Sequence, residues 1–273
     1  MMKRFFAIAL FVLGLGQLYA QPVRDTAWTK AGYFGLKLTQ VSLSSWSAGG
    51  ESALAFDSQI TYSADFKRDR QLWQNRLELG YGLTKNDGKS ARKTNDKIYF
   101  ASTYGYQIYK TLYWSALLNF NTQFAKGYDY NIEDSDFISK FMAPGYLMIG
   151  TGVTWSPNKI FTATFTPASW RGTIVADSRL SDEGAFGVDK GKHLLSEFGA
   201  NLKAEVNYEF LPNMKVYSRL ELYSNYLEDP QNVDVRWEVQ LNMAINKWFS
   251  TTLSTNLLYD NDVKIAQKDG TAG

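Results

Sequence analysis

Residues 197–210, EFGANLKAEVNYEF, sort completely by parity. Phe198, Ala200, Leu202, Ala204, Val206, Tyr208 and Phe210 take the even positions; Glu197, Gly199, Asn201, Lys203, Glu205, Asn207 and Glu209 take the odd ones. A helix would scatter both sets around its circumference, whereas a strand sends alternate side chains to opposite faces. The same period returns in 233–246, where Val233, Val235, Trp237, Val239, Leu241, Met243 and Ile245 alternate with Asp234, Arg236, Glu238, Gln240, Asn242 and Asn246. It returns in 214–225 (Val216, Leu220 and Leu222 against Lys215, Arg219, Glu221 and Asn225) and in 73–83 (Trp73, Leu77, Leu79, Tyr81 and Leu83 against Arg76 and Glu78). In 112–124 Leu112, Trp114, Ala116, Leu118, Phe120 and Phe124 oppose Ser115, Asn119, Asn121 and Gln123. Weaker versions near 32–41, 52–66, 96–109, 145–155, 160–176 and 248–259 bring the total to about eleven strands. Most are longer than the five or six residues usual in soluble sheets and match the roughly 9–11 that cross a bilayer at a tilt.

The connections alternate too. Short ones at 67–70, 110–111, 156–159, 211–213 and 246–247 interleave with long ones at 42–51, 85–95, 126–144, 177–193 and 226–232. Outer-membrane barrels carry tight periplasmic turns and longer external loops, which yields this pattern. Aromatic residues gather beside the short turns: Phe66, Trp73, Tyr109, Tyr113, Trp114, Trp155, Phe161, Tyr208, Phe210 and Trp248. Such rings favour the boundary between headgroups and hydrocarbon and predict a girdle there.

The N-terminus supplies the address. Lys3 and Arg4 precede an apolar run, FFAIALFVLGL, and a small residue, Ala20. That order predicts a secretory signal over residues 1–20, leaving 21–273 as a single barrel domain. Past it no apolar run is long enough for a spanning helix. Bacterial barrels close with an even number of strands, so a twelfth is expected after Tyr259, and the polar 260–273 suggests a chain incomplete at its C-terminus. The expected fold is a transmembrane antiparallel up-and-down β-barrel of the bacterial outer membrane.

Composition narrows the chemistry. Twenty-nine basic against 27 acidic side chains give a balance of +2, which argues against a nucleic-acid partner. With no cysteine and one histidine, thiolate chemistry and multi-imidazole metal sites are excluded.

Several segments resemble an uncharacterised family of Gram-negative outer-membrane proteins, domain of unknown function 3078: SLSSWSAGGESAL (42–54), RKTNDKI (92–98), YWSALLNFNTQFAKGYDY (113–130), FMAPGYL (141–147), LSDEGAFGVD (180–189) and SNYLEDPQNVDVRWEV (224–239). The resemblance implies a closed barrel with an aromatic-terminated last strand, a feature this sequence lacks. It implies no activity.

If the apolar parity faces lipid, the other lines the lumen. The lining candidates are Arg76, Glu78, Lys203, Glu205, Lys215, Arg219, Glu221, Asp234, Arg236 and Glu238, with Asp57, Lys97, Glu197 and Glu209 beside them. Mixed signs on neighbouring strands predict cross-strand ion pairs. The expected function is a small passive channel, porin-like, for polar or amphiphilic solutes, with outer-membrane lipid as its surroundings and no cofactor. The alternative is a structural or accessory barrel in a larger envelope assembly. A hydrolase could draw only on His193, near Ser196 and Asp189, so no catalytic residue is assigned. The acidic loops 129–136 and 177–183 lack the glycine and spacing of an EF-hand, and no metal ligand is assigned. Residues 46–50 and 143–146 read as tight turns.

Overall fold

The computed structural model describes residues 27–43, 50–130, 132, 136–244, 246 and 249–259. The proposed signal, most of 42–51, Trp248 and everything after Tyr259 lie outside the described residues. Eleven strands form one antiparallel sheet in which each long strand pairs with the next along the chain. They are β1 (Trp28–Val41), β2 (Ala53–Arg68), β3 (Gln71–Asn86), β4 (Arg92–Tyr109), β5 (Leu112–Thr122), β8 (Gly145–Trp155), β9 (Phe161–Ile174), β10 (Leu194–Leu211), β11 (Met214–Asn225), β12 (Val233–Ala244) and β13 (Ser250–Tyr259). Two short strands, β6 (Gly127–Tyr128) and β7 (Phe137–Ser139), make a separate hairpin inside one loop. Strands β1 and β13 are the edges, and no ladder joins them among the described residues.

Register carries one parity across the whole sheet. The pairs Ser63–Arg76, Arg76–Ala101, Ala101–Asn119, Asn119–Met148, Met148–Arg171 and Arg171–Glu197 lie side by side on one face. Lys203–Glu221 and Glu221–Arg236 continue it. The opposite face is apolar and outward: Leu38 is 68% exposed, Trp114 44%, Trp237 48% and Leu202 38%. From β5 onward the strands place no Asp, Glu, Lys, Arg or His on it.

The sheet curls towards its polar face. Arg171 on β9 reaches Asp234 on β12, three ladders away, at 3.1 Å. Adjacent strands sit about 4.8 Å apart, so on a flat sheet that reach would demand both side chains fully stretched.

Three expectations need correction. The connection after β3 shrinks from 85–95 to 87–91, because the β3–β4 ladder runs on to Thr84–Arg92; it is no longer than the 156–160 turn, so the long–short alternation is not strict. Tyr113 pairs with Gln107 and Thr154 on the polar parity and leaves the outer aromatic set. The pattern in 160–176 breaks because β9 carries a bulge at Pro167: Thr151 pairs with Ala168 while Val153 pairs with Phe165. Pro lacks the donor a ladder needs, and a bulge is where a strand tolerates it. The extra residue flips parity, so Thr162, Thr164 and Thr166 share a face with Ser169, Arg171 and Thr173.

The tight turns carry left-handed residues, Asp69 (φ 53°), Lys110 (φ 29°) and Asn213 (φ 66°). The Asp and Asn tolerate this region more readily than most side chains.

The long loops 123–144 and 175–193 pack together into a cap. Its core is Ala143, Val175, Leu180 and Val188, all buried, with Phe137, Ala185, Phe186 and Leu195 against them. Helix α1 (Ser178–Glu183) starts where the Asp177 carboxylate accepts from the Leu180 amide at 3.0 Å. It stops at Gly184, whose φ of 75° suits a residue without a Cβ. Leu195 lies on the polar parity of β10, so the cap leans over the concave face.

Candidate functional site: the concave polar face

Three groups of ionised side chains occupy the concave face. On β3 and β4, Glu78 accepts from Arg76 Nε and Lys97 Nζ, both at 2.5 Å. Lys97 also sits 5.1 Å from the centre of the Tyr99 ring. Between β10, β11 and β12, Arg219 donates to Glu238 at 2.8 Å and Arg236 lies 3.8 Å from Glu221. Lys203 stands 3.5 Å from Glu205, which also accepts from the Tyr217 hydroxyl at 3.1 Å. Lys215 pairs with Glu209 at 3.4 Å near the 212–213 turn.

The third group centres on Arg171. Its Nε and Nη2 grip both oxygens of Glu197, at 2.7 and 2.5 Å, while Nη1 holds Asp234. Its guanidinium stacks 4.0 Å over the Tyr223 ring. Glu197 is only 6% exposed. A carboxylate that deep demands a charge partner, and the planar fork of arginine fits it bidentately.

The ten sequence candidates therefore all lie on the polar parity, each within an ion pair. Asp57 accepts from Asn95 at 3.0 Å. Arg171 was missed. Its position falls in phase with the other bases only once the Pro167 bulge is counted, and a proline inside an alternating run is the signal that could have revealed it.

Between the ionised groups the wall is small and neutral. Ser115, Thr154 and Thr164 form a chain of hydroxyl hydrogen bonds at 2.8 and 3.0 Å across β5, β8 and β9. Ser169 donates to the Gly199 carbonyl at 2.8 Å. A Cβ at Gly152 would stand 2.0 Å from the Phe165 carbonyl, and one at Gly199 2.0 Å from that of Ser224, so backbone approaches too closely there for any side chain. Among the described residues the Thr166 and Tyr223 hydroxyls find no hydrogen-bond partner, though both are buried.

The residues weighed for other chemistry are engaged elsewhere. His193 Nδ1 faces the Val175 carbonyl at 2.7 Å, Ser196 accepts from the Trp170 indole at 2.6 Å, and Asp189 takes Lys192 at 3.1 Å. The loop acids Asp177 and Glu183 pair with Lys140 and Arg179. Among the described residues no three His, Asp or Glu side chains gather as a cation site. Lys140 and Ala143 exchange backbone hydrogen bonds across a tight turn, which leads into a cis Ala143–Pro144 bond. Asp177 is held below the usual carboxylate range, first by its hydrogen bond from Lys140 and then by the Leu180 amide.

Two family models match, one in each half of the chain. Residues 38–128 match one described as Protein of unknown function (DUF3078), and residues 170–271 match another described as Protein of unknown function, DUF481. Of the motifs that suggested the first family, those at 141–147, 180–189 and 224–239 fall outside its match. No curated protein matches the chain.

Proposed function

We propose that the chain is an outer-membrane β-barrel whose polar interior is a narrow passage for small polar solutes, exported by the signal at 1–20. On this reading a twelfth strand closes the ring between β13 and β1, giving the even count of such barrels. The observation that carries it is the inversion of the sheet: apolar side chains stand exposed on the convex face, and ion pairs fill the concave one. A sheet in water gains nothing from that order; a sheet in hydrocarbon requires it.

The outer polar groups support the same surroundings. Trp73 donates its indole N–H to Ser102 at 2.9 Å, Trp170 to Ser196 at 2.6 Å and Trp237 to Ser218 at 3.0 Å. Each bond joins neighbouring strands on the apolar face, supplying from the protein the acceptor that lipid cannot offer.

Two measurements test the proposal. Expressed with its own leader, the protein should fractionate with outer membrane; recovery in the soluble fraction would sink the reading. Purified full-length protein should give stepwise conductance in planar bilayers and admit small sugars into liposomes. The second reading, an accessory barrel working through its loops, draws on the packed cap over the concave face. Correct insertion with a lumen closed to every solute favours it.

A further inference from the structure

Where the concave face meets the cap, a cleft of about 360 Å³ opens between β4, β5 and β8, walled by Asn95, Asp96, Lys97, Asn121, Gln123 and Tyr146. Its size falls at the low end of the roughly 300–1,000 Å³ usual for small-molecule sites. Asn121 and Tyr146 are register partners on the polar parity of the β5–β8 ladder, so an amide stands beside an aromatic ring, and both side chains are exposed. The cap fixes the rim. The Thr122 hydroxyl donates to the Pro144 carbonyl at 2.9 Å and accepts from the Met142 amide at 3.0 Å, and Gln123 Nε2 donates to the Lys140 carbonyl at 3.1 Å.

The two charges in its walls are already neutralised. Lys97 Nζ lies 2.5 Å from Glu78. Asp96, its side chain 3% exposed, takes Lys93 Nζ at 2.7 Å and the Phe124 and Ala125 amides at 2.7 and 3.0 Å. The side-chain amides are not saturated. Asn95 Nδ2 donates to Asp57 and Gln123 Nε2 to Lys140, which leaves the side-chain carbonyl oxygen of each uncommitted among the described residues. Asn121 makes no side-chain hydrogen bond among them. An anion would face those carbonyl oxygens, and an amino acid would need both an open base and an open acid, neither of which the cleft presents. A sugar hydroxyl both donates and accepts. A ring of them can give hydrogens to Asn95 and Gln123, take one from Asn121, and lay its C–H face on the Tyr146 ring. The neighbouring Tyr99 ring already carries Lys97 at 5.1 Å, so Tyr146 is the platform the cleft offers.

We propose that this cleft is a subsite for a neutral saccharide, with Tyr146 as its stacking platform and Asn95, Asn121 and Gln123 as its hydrogen-bonding residues. The inference rests on the interior being open to solutes, and it names their class. Lying beneath the cap, the subsite meets a solute at the loop end of the concave face.

The test titrates full-length protein in detergent with glucose and maltose, and with inorganic phosphate and glycine as charged probes, by equilibrium dialysis. The same preparation is reconstituted in planar bilayers for conductance. Wild type should bind a sugar saturably and neither charged probe. Asn121→Ala and Tyr146→Ala should each weaken sugar binding by about tenfold, the scale of one lost hydrogen bond or stacking contact. Tyr146→Phe keeps the ring and should keep the affinity, and Lys192→Ala, on the outside of the cap, should leave it unchanged. Should Tyr146→Ala fail to fold, Asn121→Ala at its exposed position carries the test alone. Conductance without saturable sugar binding, sugar binding indifferent to the alanine variants, or tighter binding of phosphate or glycine overturns the subsite while leaving the passage standing. Saturable sugar binding by a protein that never conducts keeps the subsite and removes the passage. A wild type with neither conductance nor sugar binding removes both.

Discussion

The cap and the sheet solve opposite problems within one chain. In the cap, Ala143, Val175, Leu180 and Val188 turn inward while Lys192, Asp189 and Glu183 stay outside, as in any small water-soluble fold. In the sheet, Leu202, Trp237 and Leu38 turn outward while Glu197 and Arg171 are enclosed. Burial is favourable for whichever groups the local solvent tolerates least. The contrast thus locates the change of solvent, on the proposed reading, between the strand ends and the loops.

Placing a charge where the two orders differ most should have the largest effect. Leu202→Arg sets a guanidinium in the middle of the apolar face and should cost about 2–4 kcal/mol of folding free energy in vesicles, read by denaturant titration. The same change on a surface facing water would cost little, and that outcome would erase the contrast. Leu180→Ala, at 2% exposure the most deeply buried leucine of the cap core, should cost about 2 kcal/mol. Faster hydrogen exchange and proteolysis should be confined to 123–144 and 175–193, with the sheet unchanged. Loss of protection throughout the sheet would mean that cap and sheet fold as one unit.

Asp177→Ala removes the α1 N-cap and a partner of Lys140 and should weaken the cap by about 1 kcal/mol, visible in the same exchange experiment. Acid should reproduce part of this effect, and its sign follows from the direction of the Asp177 shift. A carboxyl held below its ordinary value of about 3.8 stabilises the fold fully above that value. The contribution fades as pH falls through the lower folded value. Cap protection should therefore hold from neutrality to about pH 4 and decline below it, and Asp177→Asn should flatten that profile.

Every long strand was legible, with ends placed to within about four residues. The expected 145–155 and 214–225 coincide with Gly145–Trp155 and Met214–Asn225, because alternation is a local consequence of backbone geometry. Where alternation failed, at Pro167, so did the reading, and Arg171 went uncounted. The cap left no periodic trace: α1 has six residues, and its core joins Ala143 to Val175, Leu180 and Val188 from a different loop. Such contacts form between segments whose own patterns say nothing of each other.

Away from the Pro167 bulge, sequence by itself determined which residues share a face, since period two needs only neighbours along one strand. It also determined the up-and-down order, since short turns can only join adjacent antiparallel strands. Which charges meet was decided by tertiary structure. Arg171 finds Asp234 only because the sheet curls, and curvature is a property of many strands together.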